Sequence, residues 1–224
     1  MFNKPQQITE PITFQQSFLS KVFFFFGLAI AISALGAYVG LNYFAQYFLA
    51  NPALIYLAFA LELILVFTSK AWSQKRPLNV ILFTLFAFST GVTLVPMLAF
   101  LSGSGSMDLV LKAFIATTLM FTATAIFGFF TNINLQGLRG FLFVALLGMI
   151  IVSVLGIFLP WGSTFEMIFS GFGVILFSAY TAYDIQRLKS YPENMYIEAA
   201  LQLYLDIFNL FLYILRLITA FSRD

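Results

Sequence analysis

An all-helical bundle of seven membrane-spanning helices, with no separate soluble domain, is the fold this sequence predicts. Three observations carry the prediction. Seven apolar runs approach or exceed the roughly 20 residues that a helix needs to cross the hydrocarbon core. The 224 residues are 61% hydrophobic and only 9% charged, where a soluble domain carries about 25% charge. The runs show no sustained alternation and are too long for barrel strands.

The runs are Val22–Phe44, Pro52–Ser69, Leu78–Leu101, Leu109–Phe130, Leu138–Leu159, Phe165–Tyr183 and Ile197–Phe221. Their connectors are short and rich in turn residues: Asn51-Pro52, Arg76-Pro77, the SGSGS stretch Ser102–Ser106, Asn132–Gly137 and Pro160–Thr164. Residues 1–20 are polar, with Pro5 and Pro11, and read as a short cytoplasmic tail and not as a cleaved signal. The bundle then occupies residues 21–224. Small residues in the first, fourth and fifth runs (Gly27, Ala31, Ala34, Gly36; Ala113, Ala116, Thr117; Ala145, Gly148) suit close helix packing. Most of the 30 phenylalanines read as lipid-facing bulk or core filler, and Trp72 and Trp161 as interfacial anchors.

Lys and Arg favour cytoplasmic loops. With the N-terminus inside, Lys4, Lys21, Lys70, Lys75, Arg76, Arg139, Arg187 and Lys189 fall on the cytoplasmic side. Only Lys112 and Arg223 fall outside, a split of 8 against 2. Seven crossings then leave Asp224 outside. The basic residues are dispersed, so nothing points to nucleic acid; lipid is the expected surround. Cysteine and histidine are both absent, which excludes disulfides and thiol chemistry and leaves carboxylates as the groups able to sense pH near neutrality.

An acid inside an apolar helix costs a few kcal/mol or more in a membrane and marks a functional site by default. Glu62 lies 10 residues after Pro52, about 15 Å into the second run. Asp184 closes the sixth run; with Arg187 three residues on, it also suits an ordinary interfacial ion pair. Asp206 lies 9 residues after Ile197, about 13 Å into the seventh run, with apolar neighbours and no basic residue within two turns. Arg216 is deeper still, ten residues past Asp206, and its stem can carry the charge to the outer interface. The link between the last two runs, Gln186 to Tyr196, makes them antiparallel neighbours. Counted as ideal helix from Pro192, Asp184 and Asp206 miss each other by about 9 Å of rise. A partly extended link absorbs that, and two carboxyls that then meet cannot both ionise cheaply and would share a proton.

At these residues the chain resembles the transmembrane Bax inhibitor motif family, in its bacterial branch. The matching segments are AYDIQRLK at Ala182–Lys189, LYLDIFNLF at Leu203–Phe211 with LRLI at Arg216, ELILVF at Glu62–Phe67 and STGVTLVP at Ser89–Pro96. They keep their order and spacing over roughly residues 20 to 221. The resemblance implies a central seventh helix surrounded by the other six, and a pH-sensitive calcium leak. It implies that Asp184 and Asp206 are the proton-sharing pH sensor and that Glu62 and Asp206 line the ion path. In some members an arginine late in the second helix latches one acid of the pair. Trp72 and Ser73 stand nearest that position here, so Lys70 is the closest substitute, with Lys75 and Arg76 as alternatives. The charged cluster common after the fourth helix is replaced by TNINL at Thr131–Leu135.

A calcium leak needs no tightly bound cofactor. Calcium takes 6–8 oxygen ligands, and two or three of the carboxylates Asp184, Asp206 and Glu62, with carbonyls and water, would give a weak, transient site for calcium, with protons as the other ligand. A proton-coupled exchanger uses the same acids. An intramembrane aspartyl protease also uses two membrane aspartates, but needs Gly-x-Gly-Asp at the second, where Tyr204-Leu205 precedes Asp206 here. No enzyme activity is therefore expected. Seven helices can enclose a path in one chain, so a monomer is expected.

Overall fold

The computed structural model describes residues 12–159 and 161–222. Among these it is helical throughout, without strands. The helices are α1 (Ile12–Val39), α2 (Ala45–Ala50), α3 (Pro52–Phe67), α4 (Ser69–Trp72), α5 (Leu78–Thr93), α6 (Val95–Gly103), α7 (Asp108–Phe130), α8 (Arg139–Phe158), α9 (Ser163–Arg187) and α10 (Tyr196–Phe221). A π-helical turn, Gly40–Phe44, joins α1 to α2, so the first apolar run continues to Ala50. Six helical stretches are long and apolar enough to cross a membrane. The protein is a membrane protein.

The second predicted run differs from the other six. α3 has 16 residues, about 24 Å of helix, against a hydrocarbon core of about 30 Å. Pro52 opens it at the first helical position, where a missing N–H costs nothing. Thr68 closes it, with its hydroxyl on the Ile64 carbonyl at 2.6 Å. The Trp72 indole then donates to the Leu65 carbonyl at 3.1 Å. Trp72 is buried and seals the end of α3, so it is not the lipid-facing anchor expected of it. Trp161 is exposed and packs on Phe165.

The third run is one span in two pieces. Pro96 has no N–H for the Val92 carbonyl, and its ring crowds that turn; α5 accordingly ends at Thr93 and α6 resumes at Val95. Gly105, at φ 71°, takes the left-handed conformation that turns the chain into α7. The expected tail boundary at residue 20 moves: α1 already runs from Ile12, because Phe18 and Val22 bury and Leu19 packs against the core. Residues 1–11, with Lys4, and Arg223 and Asp224 lie outside the described residues.

Two apolar clusters fill the interior. One packs α1, α3 and α5 against the first half of α10; the other packs α7, α8 and α9 against its second half. α10 touches α1, α5, α7 and α9. The closest approaches need glycine. A Cβ on Gly91 would strike the Ser33 carbonyl and the Ala37 nitrogen of α1. A Cβ on Gly128 would strike the backbone of Ala182, which sets α7 hard against α9 beside Asp184. Gly27 and Gly148, read as packing residues, face open space.

Side chains from four corners meet at one end of the bundle. Lys21 pairs with Glu193 at 3.3 Å. Asn194 donates to the Gln74 side chain at 3.0 Å. Arg76 donates to the Tyr196 hydroxyl at 2.8 Å. Gln186 both accepts from the Leu135 N–H and donates to the Ile133 carbonyl at 2.8 Å, and Lys189 donates to the Phe129 carbonyl. Lys21, Arg76, Arg187 and Lys189 thus gather at one end, and α3 with α4 brings the chain back to it.

Gly91→Ala is expected to destabilise the protein by about 1–3 kcal/mol through overpacking of α1 on α5. Gly27→Ala should be neutral or slightly stabilising. Thermal unfolding of the two variants in detergent checks the contrast; equal melting temperatures would contradict the close crossing.

Candidate functional site: buried carboxylates on α3, α9 and α10

The end of α9 and the middle of α10 lie side by side, and they bring Asp184 and Asp206 together. Both are buried, at 6% and 4% exposure, and their carboxyl groups lie within electrostatic reach of each other. Two buried carboxyls near one another cannot both ionise cheaply. Asp184 Oδ1 and Asp206 Oδ2 receive no N–H or O–H from the surrounding chain. Tyr180, one turn before Asp184, lies within electrostatic reach of both acids.

The expected shortfall of about 9 Å assumed ideal helix up to Pro192. The link is otherwise built. Leu188–Ser190 and Glu193–Met195 are 3₁₀ turns on either side of extended Tyr191 and Pro192, at ψ 139° and 143°. Glu193 and Asn194 reach sideways to Lys21 and Gln74. The link therefore spends its residues across the end of the bundle and not along its axis.

The cation at the pair is Arg187, at 3.8 Å from Asp184 Oδ1. Among the described residues no other basic side chain comes within ion-pair distance of either acid. Lys70, the expected latch, is exposed on α4 and joins no described ion pair. The residue of α4 that turns inward is Trp72, whose buried indole is held on the Leu65 carbonyl. Arg187 also donates to the Gln202 oxygen at 3.4 Å and stacks over the Tyr191 ring at 4.8 Å. The Tyr191 hydroxyl donates to the same Gln202 oxygen at 2.6 Å. Burial holds the Tyr191 phenol well above its usual range; Arg187 opposes the shift, and the negative charges of Asp184 and Glu198 add to it.

Glu62 is buried in α3, 7% exposed. It lies near Thr93 and Ser89 of α5, and its Oε1 is buried without a partner. On the next face of α5, Thr90 hydrogen-bonds the Tyr204 hydroxyl of α10, near Ser33 of α1. Glu62 thus belongs to a second polar site. Among the described residues no three acidic side chains converge on one point: Asp184 and Asp206 are near one another, and Glu62 stands apart from them. Helix geometry gives the reason. Tyr204 and Asp206 are two residues apart, about 200° around α10, so one faces α5 and the other α9. Arg216 is exposed, 5.8 Å from the Tyr213 ring, at a cavity of about 390 Å³ lined also by Glu166, Ser153 and Ser170.

One buried acid escaped the sequence reading. Glu198, in the first turn of α10, is 5% exposed and its Oε2 has no partner. Its place at a helix start reads as an ordinary dipole-stabilising acid, worth about 0.3–1 kcal/mol. Burying an unpaired carboxylate costs several kcal/mol, so that reading does not account for its burial. The available signal was spacing: Glu198, Gln202 and Asp206 repeat every four residues and share one face.

A family profile described as "Inhibitor of apoptosis-promoting Bax1" matches residues 15–223. An uncharacterized protein of Helicobacter pylori J99 is 34% identical over 211 residues, covering 93% of this chain and 89% of its own. An uncharacterized protein of Campylobacter jejuni is 30% identical over 206 residues, covering 92% and 89%. The inner membrane protein YbhL of Escherichia coli is 28% identical over 236 residues, covering 96% and 97%. With the profile spanning nearly the whole chain and the YD and LYLD segments meeting in the bundle, the chain belongs to the Bax inhibitor-1 family of membrane proteins.

Proposed function

We propose that this protein is a pH-sensitive leak for calcium or a similar cation across a bacterial inner membrane. The observation that carries the reading is the burial of Asp184 and Asp206 near one another, with Arg187 within ion-pair reach of Asp184. Two carboxyls in contact exist in three protonation states. With one proton they hold each other, and the Arg187 charge balances the remaining negative charge. With none they repel and draw in cations. With two they are neutral and lose their hold on Arg187 and on any cation. Proton number thus sets both the contact of α9 with α10 and the affinity for cations, which is what a pH-gated path requires.

Glu62 serves as a separate carboxylate on the path, and the leak runs past two weak sites in place of one tight one. That suits passage better than storage. In this reading α3 is the seventh crossing, shortened but returning the chain to the Lys21 end, and α10 is the central helix. The basic end faces the cytoplasm, the N-terminus lies inside and the C-terminus outside. One chain encloses the path, with lipid around it and no bound cofactor or catalytic role.

Calcium flux into proteoliposomes, stepped in pH, tests the reading. Asp184→Asn and Asp206→Asn are each expected to remove most of the pH dependence, and the double variant to add little. Two independent, additive shifts would mean that the acids do not share a proton. Repeating the steps against a proton counter-gradient separates leak from exchange, because only an exchanger is driven by it.

Glu62→Gln is expected to lower calcium flux severalfold with the pH midpoint nearly unchanged. Normal flux in the folded variant would make Glu62 a structural acid. For topology, a reporter fused after Asp224 should be active only when it works outside the cytoplasm; cytoplasmic activity would overturn the odd number of crossings.

A further inference from the structure

The end of the bundle opposite Lys21 and Arg187 holds a cavity that neither carboxylate site uses. Its volume is about 390 Å³, within the roughly 300–1,000 Å³ of small-molecule sites. Four helices wall it: α6 at Met97, α8 at Ser153 and Gly156, α9 at Glu166 and Ser170, and α10 at Arg216. Arg216 lies in the last two turns of α10 and Glu166 in the first turn of α9. At that depth headgroups meet hydrocarbon. Among the described residues neither side chain has an ion-pair partner, although both line the one cavity. Arg216 stands over the Tyr213 ring at 5.8 Å. A Cβ on Gly156 would come within 2.7 Å of the Trp161 indole nitrogen, so the missing side chain seats that indole against α8. Trp161 packs on Phe165 at 4.6 Å, and the two rings make an aromatic wall beside Glu166.

The cavity thus offers a fork of N–H donors on one wall, and a carboxylate with aromatic rings on another. Snorkelling accounts for an arginine near an interface, but not for an acid and two rings around the same space. The set is complementary to a molecule that carries an anionic phosphate or carboxylate together with an ammonium. A free zwitterion and a lipid headgroup share that chemistry. The surround favours the lipid. Ile151, Val154, Leu155 and Phe158, on the same stretch of α8, are exposed, so acyl chains can lie along α8 while the headgroup enters.

We propose that this cavity binds the headgroup of a phosphoethanolamine lipid, with Arg216 on the phosphate and Glu166, flanked by Trp161 and Phe165, on the ammonium. Ser153 and Ser170 supply hydroxyls for the remaining phosphate oxygens. The seat stands apart from the aspartate pair and does not depend on the leak reading. A glycerol headgroup brings the phosphate without the ammonium, and leaves Glu166 facing a ligand of net negative charge. Such a lipid is therefore discriminated against.

Calorimetric titration of the full-length, delipidated protein in detergent tests the assignment. The probes are dihexanoyl phosphatidylethanolamine, dihexanoyl phosphatidylglycerol and free phosphoethanolamine. The ethanolamine lipid is expected to bind about threefold tighter than the glycerol lipid, and free phosphoethanolamine more weakly than the ethanolamine lipid. Arg216→Gln is expected to weaken both lipids about tenfold. Arg216→Lys should recover part of the loss, since a point charge replaces the fork. Glu166→Gln is expected to erase the preference for ethanolamine over glycerol, with the glycerol lipid bound at least as well as before. A merely structural role for Glu166 would not move that preference. Ser153→Phe, which fills the cavity from α8, should abolish binding of both lipids, and it decides the matter if Arg216→Gln fails to fold. Equal affinity for the two lipids in the wild type, or an unchanged preference in folded Glu166→Gln, overturns the assignment. Free phosphoethanolamine bound as tightly as its lipid overturns the lipid as occupant.

Discussion

Inside hydrocarbon a carboxyl group has no water to turn to, so a buried acid depends on whatever counter-groups the chain brings near it. The interior of this bundle is arranged around that demand. Asp184 and Asp206 lie near one another, and Arg187 approaches Asp184. Glu62 leans on two hydroxyls of α5. The apolar surroundings then follow. Gly128 lets α7 close on α9 at Ala182, two residues from Asp184. Leu203, Leu210 and Leu215 of α10 are fully buried and fix the helix that carries Asp206. The two acids are thus held near one another by the packing above and below them.

The polar end of the bundle works differently. Its ties are numerous and individually small. Lys21 with Glu193 is a surface pair, 40% and 43% exposed, of the kind worth about 0–1 kcal/mol. Gln186 and Lys189 clamp the end of α9 to the α7–α8 corner. Asn194 ties the link to Gln74, and Phe18 stacks on Tyr191. Such a lid gives the link one shape without locking it.

The spans were legible because apolar length is a direct consequence of bilayer thickness. Asn51-Pro52, SGSGS and the turn at Asn134 marked real corners for local chemical reasons. What the apolar runs could not show was direction around a helix. Trp72 was legible as a residue near an interface, but whether its indole faced lipid or the end of α3 depends on tertiary packing. Lys70 was the nearest basic residue to the family's latch position by number, yet Arg187, one turn from Asp184, is the cation that meets the pair in space. Spacing alone allowed Asp184 and Asp206 to meet without requiring it, because the link runs sideways through two 3₁₀ turns. Glu198 was hidden by its position in a first turn, where acids are ordinary.

α10 carries the consequence furthest. Asp206 on one face meets Asp184 of α9, and Tyr204 on the opposite face meets Thr90 of α5 and Ser33 of α1. Phe83 and Phe86 pack edge-on against the Tyr204 ring, so the phenol has little room to adjust independently. Ser89 and Thr93, the hydroxyls beside Glu62, stand within one turn of Thr90 on the same helix. A helix cannot turn one face without turning the other. Any rotation of α10 that relieves or tightens the aspartate pair must therefore strain or release the Tyr204–Thr90 bond, and with it the stretch of α5 that steadies Glu62. The two carboxylate sites are separate in space and joined through one rigid element, a physical route by which protonation at one can be felt at the other.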